Sequence, residues 1–256
     1  MLLVVAFSRY FGLYGALVAF SLSPAVAVLP TLYLIRKKPW FEVSLFLGKV
    51  DKKSAINLSG FAVMGLTSTL VLPITFILIR DLISTRFGLD GAGYWQASWK
   101  ISEIYLMLIT TTLSVYYLPR ISEIRIAQEL KEEIIKVYVF VLPVVVIIAL
   151  FIYFFRDFII KTLFTADFYP MRDLFAWQLT GDVLKIASWV LAYILIARAK
   201  VRYFVITEIV FSVVFFVLSW VFVGYFGLTG VPMAYAANYL IYLIAMIYLF
   251  RAGLLN

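Results

Sequence analysis

Two residue types are missing from this 256-residue sequence, which contains no cysteine and no histidine. The chain can therefore form no disulfide, thiol nucleophile, imidazole base or His/Cys zinc site. EF-hand, phosphate-loop and dinucleotide-binding spacings are absent as well, as is the DxD pattern of a metal-dependent glycosyltransferase. We therefore expect no catalytic residues, no metal site, no cofactor and no enzymatic activity.

Apolar residues, in contrast, are abundant. They make up 64% of the chain, aromatic residues make up 18%, and the mean hydropathy is +1.02, all above the usual range of a soluble domain. Several apolar runs reach the roughly 20 residues that a helix needs to cross a bilayer. The sequence thus predicts an all-α integral membrane protein of about seven transmembrane helices, spans a to g, at residues 11–35, 54–79, 92–118, 137–155, 173–197, 203–223 and 229–250.

The charge distribution predicts the orientation of these spans. The net charge of +8 comes largely from short connections between spans, so we expect no nucleic-acid partner. Lys and Arg number 14 in the connections on one side of the membrane and 5 on the other. Because cytoplasmic loops carry the excess of positive charge, the richer side is predicted to be cytoplasmic, and the C-terminus beyond Arg251 faces it.

The connection between spans c and d, residues 121–136, has an amphipathic pattern. Glu and Lys fall on one helical face, and the apolar residues fall on the opposite one: Ile121, Ile124, Ala127, Leu130 and Ile134. This pattern suits a helix that lies on the cytoplasmic leaflet. It suits equally well a solvated extension of span c or span d.

The chain also contains an internal repeat. Residues 11–36 align without gaps to residues 226–251, and both copies begin with Phe-Gly-Leu-x-Gly and end in arginine. Both copies run from outside to inside by the charge count, so the repeat is parallel, as in two-lobe transporters. Span a is then expected to be the last helix of one six-helix lobe, and spans b to g a complete second lobe.

This repeat predicts three parts of the chain. Residues 1–38 would be the remnant of a first lobe, residues 39–53 a cytoplasmic inter-lobe connection, and residues 54–256 the second six-helix lobe. Only eight residues precede Arg9, too few for a helix that crosses a bilayer. We therefore expect a fragment of a longer transporter that does not restore transport alone. A non-functional remnant or a mis-started reading frame fits the same observation.

Two long stretches carry a family resemblance. They are "YWQASWKISEIYLMLITTTLSVYYLPRISE" (94–123) and "MRDLFAWQLTGDVLKIASWVLAYILIARAKVRYFVITE" (171–208). Both resemble the Wzx-type O-antigen translocases, a family that includes flippases for the lipid-linked repeat unit of enterobacterial common antigen. The resemblance covers span a through the C-terminus. The family has twelve helices in two lobes, so its first five helices have no counterpart here.

The resemblance implies a flippase of the multidrug/oligosaccharidyl-lipid/polysaccharide exporter superfamily. Such a protein carries undecaprenyl-pyrophosphate-linked oligosaccharide across the bacterial inner membrane by alternating access, coupled to an ion gradient, in the biosynthesis of lipopolysaccharide and other polysaccharides. The implied partners are the lipid-linked glycan, membrane lipid, and the polysaccharide polymerase and chain-length machinery. The alternative is a drug or cation exporter of the same superfamily.

Polar residues recur at helical spacing on one face of span c and on one face of span e. They are Gln96, Lys100, Glu103, Gln178, Asp182 and Lys185. A charge at the centre of a membrane helix costs roughly 2.5–3.5 kcal/mol, so such residues usually face a protein interior or a watery cavity. The spacing of Lys100 with Glu103, and of Asp182 with Lys185, also suits local ion pairs that merely ease insertion.

The cargo sets a physical requirement for this face. A pyrophosphate that carries a glycan cannot enter hydrocarbon unaided, so a cavity must supply cations and hydrogen-bond donors. The predicted substrate path, with Arg80 and Arg120 at its mouths, comprises Arg80, Gln96, Lys100, Glu103, Arg120, Gln178, Asp182 and Lys185. Candidates for proton or cation exchange are Glu103, Asp182 and Glu208. Candidates for stacking on sugars, or for anchoring at the interface, are Tyr105, Tyr116, Tyr117 and Trp177.

Overall fold

The computed structural model describes residues 2–36 and 51–253. Most of the predicted inter-lobe connection, residues 39–50, therefore lies outside the described residues. Within the described ranges all regular structure is helical, as predicted. The α-helices are α1 (Leu2–Ile35), α2 (Lys52–Thr112), α3 (Leu118–Glu123), α4 (Ala127–Leu163), α5 (Phe175–Ala197), α6 (Val201–Phe226) and α7 (Gly230–Arg251). A π-helix (Leu113–Tyr117) and two 3₁₀ helices (Ala166–Leu174 and Gly227–Thr229) lie between them.

Five stretches of the described residues are long and apolar enough to cross a membrane. Two of them, Leu58–Glu123 with 66 residues and Val201–Arg251 with 51, greatly exceed the roughly 20 residues of one crossing. Each folds back on itself, since the rings of Phe76 and Trp99 lie 4.6 Å apart and those of Phe211 and Tyr242 lie 4.6 Å apart. Each of these two stretches therefore supplies two antiparallel spans, which reconciles the five stretches with the seven predicted spans.

Three glycines mark sharp turns, within α1 at Gly12, within α2 at Gly88 and between α6 and α7 at Gly227. Gly12, Gly88 and Gly227 have φ values of 59°, 73° and 62°, a region that glycine adopts far more readily than other residues. Each begins the pattern Gly-Leu-x-Gly after a phenylalanine. Two copies were predicted as the start of the repeat, and the third, Phe-Gly-Leu-Asp-Gly at 87–91, was missed. The pattern is thus a turn motif as well as a mark of the repeat.

The helix α5 is the central element of the compact unit Ile56–Asn256. It packs against α7 and α4 along its length, and buried residues occupy most of its circumference. A helix surrounded by protein can carry polar side chains without exposing them to lipid. This location explains why the predicted span e tolerates Asp182 and Lys185.

The amphipathic segment 121–136 follows the second of its two predicted alternatives. Residues 127–136 continue directly into the membrane helix α4. Its apolar residues Ile121, Leu130 and Ile134 are buried in the protein core, so other side chains cover their apolar surface. The prediction of a separate helix on the leaflet is therefore wrong for residues 127–136.

Candidate functional site: a polar cleft beside a buried aspartate

Asp182 is a fully buried carboxylate that joins three spans. The hydroxyl of Tyr105 on α2 donates to its Oδ2 at 2.8 Å, and the hydroxyl of Tyr235 on α7 donates to its Oδ1 at 3.0 Å. Its side chain is 0% exposed. Burial of an isolated carboxylate is very costly, and hydrogen bonds to both oxygens offset part of that cost. The position of Asp182 therefore depends on α2, α5 and α7 together.

Gly181 makes room for one of these hydrogen bonds. A Cβ atom at position 181 would collide with the Cδ1 and Cε1 atoms of Tyr235. The Tyr235 ring itself is 1% exposed and contacts the rings of Trp99 and Tyr239 at 4.9 Å each. The glycine thus allows the tyrosine to approach the α5 backbone and reach Asp182.

One turn further along α5, Lys185 is surrounded by aromatic rings. Its Nζ lies 4.8 Å from the ring centroid of Trp189, 5.6 Å from that of Trp99 and 5.9 Å from that of Tyr239. These distances are within the range of cation–π attraction. In the part of the chain that the structure describes, Lys185 has no carboxylate oxygen within 4.0 Å.

Lys185 faces a cleft of about 100 Å³ between α2, α5, α6 and α7. Glu208 of α6 lines the same cleft. Three polar side chains of α6 and α7 also line it, Thr207, Ser212 and Asn238. The aromatic side chains in the lining include Trp99, Trp189, Tyr235, Tyr239 and Tyr242. The cleft combines one cation, one carboxylate and a wall of rings.

Two further clefts adjoin the first one through the side chain of Trp99. One, of about 250 Å³, has Lys185 and Glu103 in its lining. The other, of about 540 Å³, is lined by the predicted path residues Arg80, Gln96, Lys100 and Glu103. The structure therefore places six of the nine predicted path and ion-coupling residues along connected clefts: Arg80, Gln96, Lys100, Glu103, Lys185 and Glu208.

The two i,i+3 pairs proposed as local ion pairs behave differently. Lys100 Nζ and Glu103 Oε2 lie 2.7 Å apart, and both side chains are more than half exposed. In contrast, both carboxylate oxygens of Asp182 accept hydrogen bonds from Tyr105 and Tyr235, and Lys185 lies over the ring of Trp189. The local ion pair that the i,i+3 spacing predicts thus forms between Lys100 and Glu103, whereas Asp182 and Lys185 form no such pair within 4.0 Å in the described residues.

Besides the enclosed Asp182, two predicted path residues line none of the three clefts. Arg120 lies in α3, which follows the end of the predicted span c, and its Nε is 3.9 Å from Glu133 of α4. Gln178 is 1% exposed, and neither polar atom of its side chain has a hydrogen-bond partner among the described residues. It lies one turn before Asp182 on the same face, in the core rather than on a cleft.

The aromatic residues of the cleft differ from those predicted to stack on sugars. Tyr105 donates to Asp182 and Tyr117 donates to the carbonyl of Val190, so both hydroxyls serve the packing of spans. Tyr116 and Trp177 are 75% and 44% exposed and line none of these clefts.

The cleft rings that sequence reasoning missed are Trp99, Tyr235, Tyr239 and Tyr242. The sequence did contain a signal for these rings. Trp99 directly precedes Lys100, and Tyr235, Tyr239 and Tyr242 share one face of span g. No group of three acidic side chains that could hold a metal ion occurs among the described residues.

The fold has a counterpart among solved structures. The chain matches the crystal structure of a MATE point mutant with a TM-score of 0.77 at 14% sequence identity, over 99% of this chain and 60% of that one. Likeness at this identity concerns the fold alone, and it defines an all-helical, multi-pass membrane protein with the architecture of MATE. The predicted fold class is confirmed.

Sequence comparison then identifies particular relatives. The chain is 35% identical over 235 residues to the lipid III flippases of Escherichia coli (strain K12) and Shigella flexneri, which is 91% of this chain and 56% of each relative. The chain thus spans about half the length of the curated relatives it matches. The predicted resemblance to flippases of lipid-linked oligosaccharide is confirmed over that length. No family model matches the sequence.

Proposed function

We propose that the chain contributes a lobe of a flippase that moves undecaprenyl-pyrophosphate-linked oligosaccharide across the bacterial inner membrane. Its sequence relatives are named lipid III flippases, and those names describe transport rather than catalysis, so the proposed activity is not enzymatic. The cargo is a repeat unit of the O-antigen or enterobacterial common antigen kind.

The observation that carries this proposal is Lys185 in its aromatic surround. A pyrophosphate needs cationic donors to leave water, and Lys185 retains its three N–H donors without a carboxylate within 4.0 Å among the described residues. The rings of Trp99 and Trp189 beside it offer flat faces on which sugar rings can pack. One site therefore suits both the charged and the sugar portion of the cargo.

The adjoining clefts suggest a route for the polar headgroup. Arg80 and Lys100 line the larger cleft, and Trp99 borders all three. A headgroup that moves between these clefts would exchange one cationic contact for the next, while the prenyl chain remains in lipid. Arg120 lies at the end of span c, where it contacts Glu133, so any contact with the headgroup would occur there.

Ion coupling is assigned to the carboxylates around Lys185. Glu208 and Glu103 each line a cleft that Lys185 also lines, and Asp182 holds the three helices α2, α5 and α7 through two tyrosines. A proton or cation that neutralises Asp182 would weaken those two hydrogen bonds. Such a change links ion binding to the packing of spans that alternating access has to rearrange.

A drug or cation exporter is the second candidate. The carboxylates beside the clefts, Glu103 and Glu208, are the observation that favours a cationic cargo, and the fold match to MATE is consistent with either candidate. Opposing this, Lys185 occupies the centre of the aromatic surround, where a cationic drug would be repelled.

The topology and the partners belong to the same proposal. The C-terminus is placed in the cytoplasm because the Lys and Arg count is 14 against 5 in its favour. Flipped repeat units have to be joined outside the membrane, so association with polysaccharide polymerase and chain-length machinery follows from the flippase role.

A chimaera tests the proposed function. The matching segment of the E. coli lipid III flippase would be replaced by this chain and expressed in a strain that lacks its own flippase. We expect surface glycan to be restored, Lys185→Ala to reduce it at least tenfold, and Lys185→Arg to retain more than Lys185→Ala. Lys161→Ala, outside the clefts, is the control. Export of cationic dyes without surface glycan would favour the second candidate instead.

A further inference from the structure

A separate cavity lies on the face of α5 opposite Lys185 and Trp189, which line the polar cleft. It measures about 760 Å³ and runs between α4, α5 and α7. Ala187 and Leu191 of α5 form its floor, Leu142 and Ile247 form apolar walls, and Lys131 and Arg251 stand at one end. From Lys131 to Leu142 on α4 the groove extends about 16 Å at 1.5 Å per residue, roughly half of a hydrocarbon core.

Among the described residues, the two cations at the mouth have no acidic partner. Lys131 and Arg251 are exposed, and neither has a carboxylate oxygen within 4.0 Å in the described residues. The neighbouring Glu132 accepts a hydrogen bond from Gln128, while Glu133 is engaged by Arg120 and Lys136. The mouth thus keeps two positive charges next to an apolar groove.

The groove itself offers only apolar surface below that mouth. Tyr138 turns its hydroxyl inward and donates to the carbonyl of Ala187 at 2.6 Å, so its polar atom is occupied. The first turn of α4 begins at Ala127 and has no side-chain cap, which leaves backbone N–H groups near the same end. Both features match a molecule with an anionic head and an apolar tail.

We propose that this groove binds an anionic phospholipid, with its phosphate between Lys131 and Arg251 and one acyl chain along Leu142, Leu191 and Ile247. Basic pockets between membrane helices on the cytoplasmic side recognise lipid headgroups in this way. The proposal requires that α4, α5 and α7 cross the membrane with the Lys131 and Arg251 end on the cytoplasmic side, so it stands or falls separately from the identity of the cargo.

Native mass spectrometry of the purified chain, titrated with phosphatidylglycerol or phosphatidylcholine, tests the proposal. We expect phosphatidylglycerol to remain bound preferentially. The double variant Lys131→Ala/Arg251→Ala should weaken its binding about 25-fold, because each cation near an anionic headgroup contributes roughly fivefold. The control Arg125→Ala/Arg202→Ala removes the same charge from exposed positions outside the groove and should change binding less than twofold.

A second variant separates the groove from general charge. Ile247→Trp fills the apolar wall, leaves the net charge unchanged and should also reduce phosphatidylglycerol binding. Equal losses in the two double variants, equal binding of phosphatidylcholine, or unchanged binding in Ile247→Trp would each overturn the proposal. So would the loss of a dimer of chains, rather than of lipid, in Lys131→Ala/Arg251→Ala, since the groove would then be an interface between copies.

Discussion

At the scale of single residues, Asp182 and Lys185 illustrate two ways to keep a charge inside a membrane helix. Asp182 is enclosed and receives two tyrosine hydroxyls. Lys185 faces a cleft and lies among aromatic rings. Because the two side chains have separate partners, substitution of one should not simply reproduce the effect of the other.

Asp182→Asn tests whether the charge of the aspartate matters beyond packing. Asparagine has nearly the same shape and can still accept from one tyrosine, but it carries no charge and cannot take up a proton. In the chimaera we expect at least a tenfold loss of surface glycan with an unchanged amount of membrane-inserted protein. The control is Asp157→Asn at the end of α4, where Asp157 pairs with Arg172. A loss of inserted protein in Asp182→Asn would assign the aspartate to assembly alone.

Gly181→Ala tests the close approach of Tyr235. The new methyl group would displace the buried ring, and overpacking of this kind typically costs about 1–3 kcal/mol. The unfolding midpoint in detergent should fall. Gly65→Ala, where no atom lies within 4 Å of the added Cβ, should leave the midpoint unchanged. Equal midpoints for the two variants would show that Tyr235 can move at no cost.

At the scale of helices, the Phe-Gly-Leu-x-Gly turns decide where one span ends and the next begins. Gly88 and Gly227 each sit between two antiparallel halves of a long helical stretch. Their positive φ values cannot be adopted by most residues without strain. The turns therefore depend on glycine rather than on the apolar residues around it.

Gly88→Ala should destabilise the hairpin of α2 by about 1–3 kcal/mol, because the φ of 73° and ψ of −178° at Gly88 lie in a region that is essentially restricted to glycine. We expect a lower unfolding midpoint and less inserted protein. Gly224→Ala is the matched control, because Gly224 has an ordinary backbone and its added Cβ would meet only Arg86 at 3.7 Å. An unaffected Gly88→Ala variant would mean that the turn does not require its observed backbone conformation.

Helix periodicity predicted which positions share a face, but not what those positions contact. The shared faces of Gln96 with Lys100 and of Asp182 with Lys185 could be counted along one helix. The pairing of Asp182 with Tyr105 and Tyr235 joins residues 77 and 53 positions apart, and no local pattern encodes it. The aromatic surround of Lys185 was missed for the same reason.

At the scale of the whole molecule, the spans were predictable because the length and hydropathy of each apolar run determine them. The glycine turn inside α2, by contrast, was not predicted.

The orientation of the spans depends on a different quantity, the distribution of Lys and Arg. A reporter active only in the cytoplasm should work when fused after Arg251 and fail when inserted near Asp90. The opposite pattern would reverse the predicted orientation and the direction of transport.

The central claim is that the cleft beside Lys185 is a polar path that the glycan headgroup occupies. The chain contains no cysteine, so single cysteines can be labelled without background. Ser212 lines the cleft, whereas its neighbour Val213 is 56% exposed and does not. In the functional chimaera, a small membrane-impermeant thiol reagent should label Ser212→Cys, lipid-linked glycan should slow that labelling, and Val213→Cys should stay unlabelled. Equal labelling of both positions, or labelling of Ser212→Cys that the glycan does not alter, would contradict the account.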